Sequence, residues 1–140
     1  MIDTDLKMRL SREFENLSIL YIEDNLIERR AMKQLIGNDG FELVMASSTQ
    51  QALNILSKAP FDVILMNVHM SGMHGTEATS AIRDSGEVWA NIPIIALSNT
   101  LDYRQKKICR DIGMTEILSM PISRKDLIEA LYKVSTKHLA

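Results

Sequence analysis

The patterning of these 140 residues predicts an α/β domain built on five parallel strands, and three observations carry that expectation. From residue 18 onward, short apolar runs alternate with longer segments of helical period. Several of the runs are almost continuously apolar, as strands become when helices cover both faces of a parallel sheet. Gly40, Pro60, Gly86, Pro93 and Gly113 fall between the runs, where a glycine or proline is easiest to accommodate.

Taken in order, the predicted strands span residues 19–22, 41–45, 63–66, 92–97 and 116–119. The predicted helices span residues 27–36, 49–58, 76–84, 102–112 and 124–137. In the last helix Leu127, Ile128, Leu131 and Val134 recur at helical spacing and define a buried stripe. Five βα units imply right-handed crossovers and a doubly wound sheet, for which the flavodoxin-like order 2-1-3-4-5 is the natural choice. That order sets the ends of strands 1, 3, 4 and 5 along one rim beside the topological switch point. Glu23, Asp24, Asn67, Ser98 and Met120 are therefore expected to converge.

Residues 1–16 form an extension ahead of this domain, which occupies residues 17–140. Ile2, Leu6, Leu10, Phe14 and Leu17 recur every three or four residues, an amphipathic helical stripe. It reads as a linker helix or a dimer contact, or as a helix folded onto the domain. The net charge of −2 and a pI near 5.9 give no footprint for nucleic acid. No apolar run approaches the roughly 18 residues a membrane span needs. Cys109 is the only cysteine, so no intramolecular disulfide can form, in keeping with a cytoplasmic setting. Charge is uneven: residues 101–140 carry eight Lys and Arg against five Asp and Glu, the reverse of the preceding hundred. That bias is either a solvated face or a surface for an acidic protein partner.

Four segments carry a more specific signal. An apolar run ends on Glu23-Asp24, a second ends on Asn67 and continues Val68-His69-Met70-Ser71-Gly72-Met73-His74-Gly75, a third ends on Ser98, and a fourth runs Glu116-Ile117-Leu118-Ser119-Met120-Pro121. In this order and at these spacings they resemble the receiver domain of two-component response regulators, over residues 18–138. The resemblance implies a nucleophilic aspartate at the end of strand 3 and an acidic pair after strand 1 that holds Mg²⁺. It also implies a Ser or Thr after strand 4 and a Lys after strand 5, both binding phosphate oxygens, and a cis peptide at Met120-Pro121.

This chain departs from that pattern where the chemistry lies. Asn67 stands at the nucleophile position, and its amide cannot form an acyl phosphate as a carboxylate does. Met120 stands at the lysine position, and a thioether supplies no ammonium. Two losses in one site speak for a naturally degenerate domain rather than an isolated Asp→Asn change. Ile117 replaces an aromatic that swings inward on activation, Asn99 follows Ser98 where a small residue is usual, and Ser71 and His74 depart as well. Glu23 and Asp24 remain, so with Asn67 they are expected to bind Mg²⁺ weakly or not at all, and no other cofactor is expected. His69 and His74 invite comparison with a His₂-carboxylate metal site, although loop histidines are usually plain surface residues. Met66, Met70, Met73 and Met120 are core or loop filler, or an adaptable patch around the site. Trp89 reads as a partly covered loop aromatic, and as a contact residue if exposed.

The expectation is a non-enzymatic, phosphorylation-independent module that regulates a two-component partner by protein–protein interaction. The resemblance implies a sensor histidine kinase, another domain of a hybrid kinase, or a downstream output protein as that partner. Its docking surface is expected on the fourth helix, fifth strand and fifth helix, through Tyr103, Arg104, Lys107, Arg110, Lys125 and Lys133. Two alternatives stay open: a phosphorelay receiver that is phospho-dead or accepts phosphate elsewhere, and a structural spacer that dimerises through residues 1–16.

Overall fold

The computed structural model describes residues 17–37, 40–69, 75–99 and 101–139. Within them run β1 (Ser18–Ile22), α1 (Leu26–Ile36), β2 (Glu42–Ala46), α2 (Thr49–Leu56), β3 (Val63–Asn67) and α3 (Gly75–Arg83). β4 (Ile94–Ser98), α4 (Tyr103–Ile112), β5 (Glu116–Ser119) and α5 (Arg124–Leu139) complete the order. The strands pair in parallel as β2-β1-β3-β4-β5, the expected order. The stripe expected over residues 1–16 lies outside the described residues.

The twofold period of the strands divides the core in two. Leu20 and Ile22, Ile64 and Met66, and Ile94 and Ala96 point to one face, where Ala52 and Leu56 of α2, Ala78 and Ile82 of α3 and Cys109 of α4 close over them. Ile19 and Tyr21, Val63 and Leu65, and Ile95 and Leu97 point to the other, under Met32 and Ile36 of α1 and Leu127, Leu131 and Val134 of α5. Ile128, counted in the expected stripe of α5, is only partly buried. Burial on both faces is why the central strands lack polar alternation. Met66 is core, fully buried among these residues, and Trp89 packs half-buried against the same layer instead of standing free.

Side-chain caps set the helix starts. Asn25 Oδ1 accepts from the N–H groups of Ile27 and Glu28 (2.8 and 3.1 Å) and opens α1. Asp102 and Gln105 form a reciprocal capping box at α4. Many boundaries shift by a residue from expectation, and two elements are shorter by two at one end. β4 begins at Ile94 and not at residue 92, because Pro93 has no N–H and Ile92 N–H is turned back to Trp89 O (3.1 Å). α2 stops at Leu56, short of residue 58, where Lys58 N–H bonds to Ile55 O and tightens the chain into a turn.

One polar side chain ties the loops at the far end of the sheet. Arg83, the last residue of α3, donates from Nε and Nη2 to Gly113 O (3.0 and 2.7 Å). Its Nη1 donates to Ala90 O and Ile92 O, both at 2.7 Å. Gly113 sits at φ 124°, a backbone open to glycine, and an added Cβ would lie 2.9 Å from Arg83 Nε.

Candidate functional site

The rim formed by the ends of β1, β3, β4 and β5 brings the expected residues together. Glu23 follows β1, and its N–H bonds to Ala46 O (2.9 Å), which draws the residue inward until it is 1% exposed. Asn67 is the last residue of β3 and half-buried, and its Oδ1 accepts from His69 N–H at 2.9 Å. The Asn67 side chain stands near enough to the Glu23 carboxylate to lower its pKa. Ser98 closes β4, 3% exposed, with Oγ 3.3 Å from His69 Nε2. Met120 N–H donates to Ser98 O (2.7 Å), and Met120-Pro121 is cis, in keeping with the family's loop. The Met120 side chain packs half-buried against the α1 and α5 side of the core.

Of the expected switch residues, Asn99 is exposed, and Ile117 packs half-buried against the core layer under α2, α3 and α4. His74 lies outside the described residues, as do Met70, Ser71 and Met73. The imidazole of His69 is directed to Ser98, a partner that sequence reading missed because His69 was weighed as a metal ligand or a plain surface residue. Gly75, at the start of α3, passes so close to β3 that a Cβ would stand 2.8 Å from Val68 Cα. Only glycine permits that approach, which brings α3 up against the rim.

The electrostatics of the rim are dominated by one buried acid. Burial pushes the Glu23 carboxyl above its ordinary value. The Asn67 amide and the Asn25 N–H (3.2 Å from Oε1) hold it down in part, and neighbouring Asp24 pushes it up again. Glu23 Oε2 is buried without a hydrogen-bond partner. Burial likewise raises the Tyr21 phenol, reinforced by the Glu23 and Glu28 carboxylates and opposed by Arg29. Arg29 Nη1 donates to Glu23 O at 2.8 Å, so the nearest guanidinium engages the backbone of this residue.

These donors fit a divalent cation only in part. Glu23 Oε2 is unengaged, but the one oxygen of Asn67 already accepts from His69 N–H. Among the described residues, no three His, Cys, Asp or Glu side chains cluster in a way that would hold a metal.

A pH dependence follows. Glu23 binds its proton more tightly in the native than in the unfolded chain, so its ionisation opposes folding. Stability contributed by this group rises as pH falls from its native pKa toward the unfolded value of about 4.3. Glu23→Gln is expected to stabilise the domain at neutral pH and to remove this part of the slope. Urea melts between pH 5 and 8 check it, and an unchanged slope in the variant would contradict the assignment.

The expected docking residues lie on exposed ground with mixed charge. Tyr103 is 82% exposed on α4, beside exposed Arg104, Lys107 and Arg110, and Lys125 is exposed on α5. Lys107 is paired with Asp111 and Lys133 with Glu116, each at 2.9 Å. The groove between β5 and α5, about 330 Å³, is lined by Glu116, Asp126 and Glu129 around Leu118 and Ile122. The basic residues of 101–140 are thus divided equally between α4 and α5, with Lys133 joining the acidic residues that line the groove.

Comparison with known proteins places this arrangement. Residues 19–132 match the response regulator receiver domain family, and the chain belongs to it. It is 31% identical over 109 residues to sensor histidine kinase RcsC of Escherichia coli, covering 78% of this chain and 11% of that protein. It is 30% identical to hybrid signal transduction histidine kinase B of Dictyostelium discoideum, covering 86% of this chain and 6% of that protein. The chain thus spans a small part of the length of these relatives. Among solved structures it superposes on the chemotaxis protein CheY4 of Vibrio cholerae with a TM-score of 0.79 at 27% identity, covering 85% of this chain and 98% of that one. The receiver domain of sensor histidine kinase PA1611 of Pseudomonas aeruginosa, which holds a magnesium ion in its active-site cleft, gives a TM-score of 0.77 at 26% identity, covering 86% and 98%. The family is one of two-component signalling modules. Among the described residues, no helix is long and apolar enough to cross a membrane.

Proposed function

We propose that this receiver domain works in two-component signalling as a protein-interaction module that takes no phosphoryl group of its own. The observation that carries the reading is Asn67 at the end of β3. Its oxygen accepts from His69 N–H, and a side-chain amide has no nucleophilic carboxylate, so the position is a structural amide and not a nucleophile. Met120 supports it: the side chain that would bring an ammonium to the phosphate is instead packed against the apolar layer under α1 and α5. Phosphoryl transfer needs a nucleophile, a cation and donors for the developing charge, and only Ser98, Glu23 and Asp24 persist here.

The partner in this reading is a sensor histidine kinase, a domain of a hybrid kinase or a downstream output protein, the class to which the similar proteins point. α4 is the surface it would engage: Cys109 alone on that helix is fully buried, and Tyr103, Arg104, Lys107 and Arg110 face outward. A large aromatic beside arginines is the composition of an interface anchor.

Incubation with a small acyl phosphodonor and Mg²⁺, followed by intact-mass spectrometry, tests the proposal. The chain is expected to keep its unmodified mass. A stoichiometric, hydroxylamine-labile adduct would overturn the reading, and an adduct stable to hydroxylamine would mark a relay with a different acceptor.

A further inference from the structure

We propose that His69 stands in for the phosphoryl group at Ser98, so that an internal hydrogen-bond chain, Asn67–His69–Ser98, bridges β3 to β4 permanently. The bridge is built from the residue that disables the chemistry. Asn67 Oδ1 takes the His69 N–H at 2.9 Å, a side-chain turn that folds residue 69 back over the rim. The imidazole then reaches the neighbouring strand, with Nε2 3.3 Å from Ser98 Oγ. A hydroxyl can donate to a bare ring nitrogen or accept from a protonated one, so the contact holds in either tautomer.

Ser98 passes the constraint on. Its side chain is 3% exposed and its carbonyl accepts from Met120 N–H at 2.7 Å, while Val68 N–H bonds to Leu97 O at 3.0 Å on the near side. β3, β4 and the loop after β5 thereby meet at Ser98, through its hydroxyl toward His69 and its carbonyl toward Met120. A ligand can move such a site between states only by differential affinity for them, and here the hydroxyl is engaged from within. His69 is thus a positioning residue that holds the rim in a single arrangement without any bound group. The proposal rests on the reading that the site takes no phosphoryl group. Mass reports on that reading, whereas amide exchange reports on the bridge, so the two fail separately.

The test is amide hydrogen exchange followed by NMR on the full chain, comparing wild type with His69→Ala, Ser98→Ala, the double variant and His69→Gln. Loss of one modest hydrogen bond corresponds to about a three- to tenfold fall in local protection. That fall is expected at Val68, Ser98 and Met120 in both single variants, with the β2 amides as an unchanged internal reference. The double variant should fall no further than either single, because both remove the same contact. His69→Gln, which keeps a side chain able to donate and accept, should recover most of the protection. Unchanged protection at Ser98 and Met120 in His69→Ala, or additive losses in the double variant, would overturn the bridge.

Discussion

Replacing Asn67 by Asp and Met120 by Lys together is expected to take the domain from no phosphoryl uptake to near-stoichiometric labelling by a small acyl phosphodonor with Mg²⁺. The aspartate restores a nucleophilic carboxylate at the end of β3 and adds a third carboxylate beside Glu23 and Asp24, turning a poor cation site into a hard-oxygen one. The lysine returns a charge-stabilising donor at the loop after β5, where the Met120 backbone is already fastened to Ser98 O at 2.7 Å. Ser98 is in place at the end of β4. Asn67→Asp alone should label about 10²- to 10³-fold more slowly than the double variant, the usual cost of a missing donor at a developing charge. Labelling followed by intact mass over time measures both. A double variant that stays unlabelled while folded would show that residues beyond these two had been altered to silence the site. Equal rates in the single and double variants would show that Met120 is not part of the loss.

Arg83→Met is expected to destabilise the domain by about 3 kcal/mol, a fall in Tm of roughly 6–12 °C for a chain of this size. Each hydrogen bond from a charged donor contributes about 1.5–3 kcal/mol, and the contributions of one guanidinium are not additive. Arg83 makes four, all to main-chain carbonyls, on the segment leading into β4 and on the turn between α4 and β5. Its removal leaves Gly113 O, Ala90 O and Ile92 O to find other donors. Burial already pulls the guanidinium below its ordinary pKa, which marks the environment as dry enough for those bonds to matter. Arg83→Lys should restore little, because one ammonium cannot reproduce a planar fork spanning three carbonyls. Urea unfolding gives the measurement, with an unchanged m-value as the sign that stability alone has moved. A loss below 1 kcal/mol in Arg83→Met would contradict the clamp.

The two residues behind these predictions differ in how visible they were. Asn67 announced itself, because a strand-like apolar run ending on an amide, with Glu23-Asp24, Ser98 and Met120-Pro121 at matching intervals, is a pattern along the chain. Arg83 did not. In sequence it is an unremarked basic residue near the end of a helical segment, and its partners lie 7, 9 and 30 residues away. His69 was noticed for its chemistry but paired with His74, whereas the fold turns it to a serine 29 residues distant. The docking surface was half legible. The Lys107–Asp111 pair is an i,i+4 contact that any helix would form, but Lys133 meets Glu116 only because α5 lies along β5.

The sequence by itself determined the five βα units, their winding order, the rim on which Glu23, Asn67, Ser98 and Met120 meet, and the presence of an asparagine and a methionine at two of its positions. These are properties of local periodicity and of residue identity at strand ends, and a period of two or 3.6 is written within a dozen residues. Tertiary structure alone decided that Glu23 is buried with one oxygen unpaired, that the His69 imidazole reaches Ser98, and that the guanidinium of Arg83 fastens two loops. Burial and hydrogen-bond partnership are set by which segments the sheet brings side by side, and a buried polar atom takes the partner that packing leaves within reach.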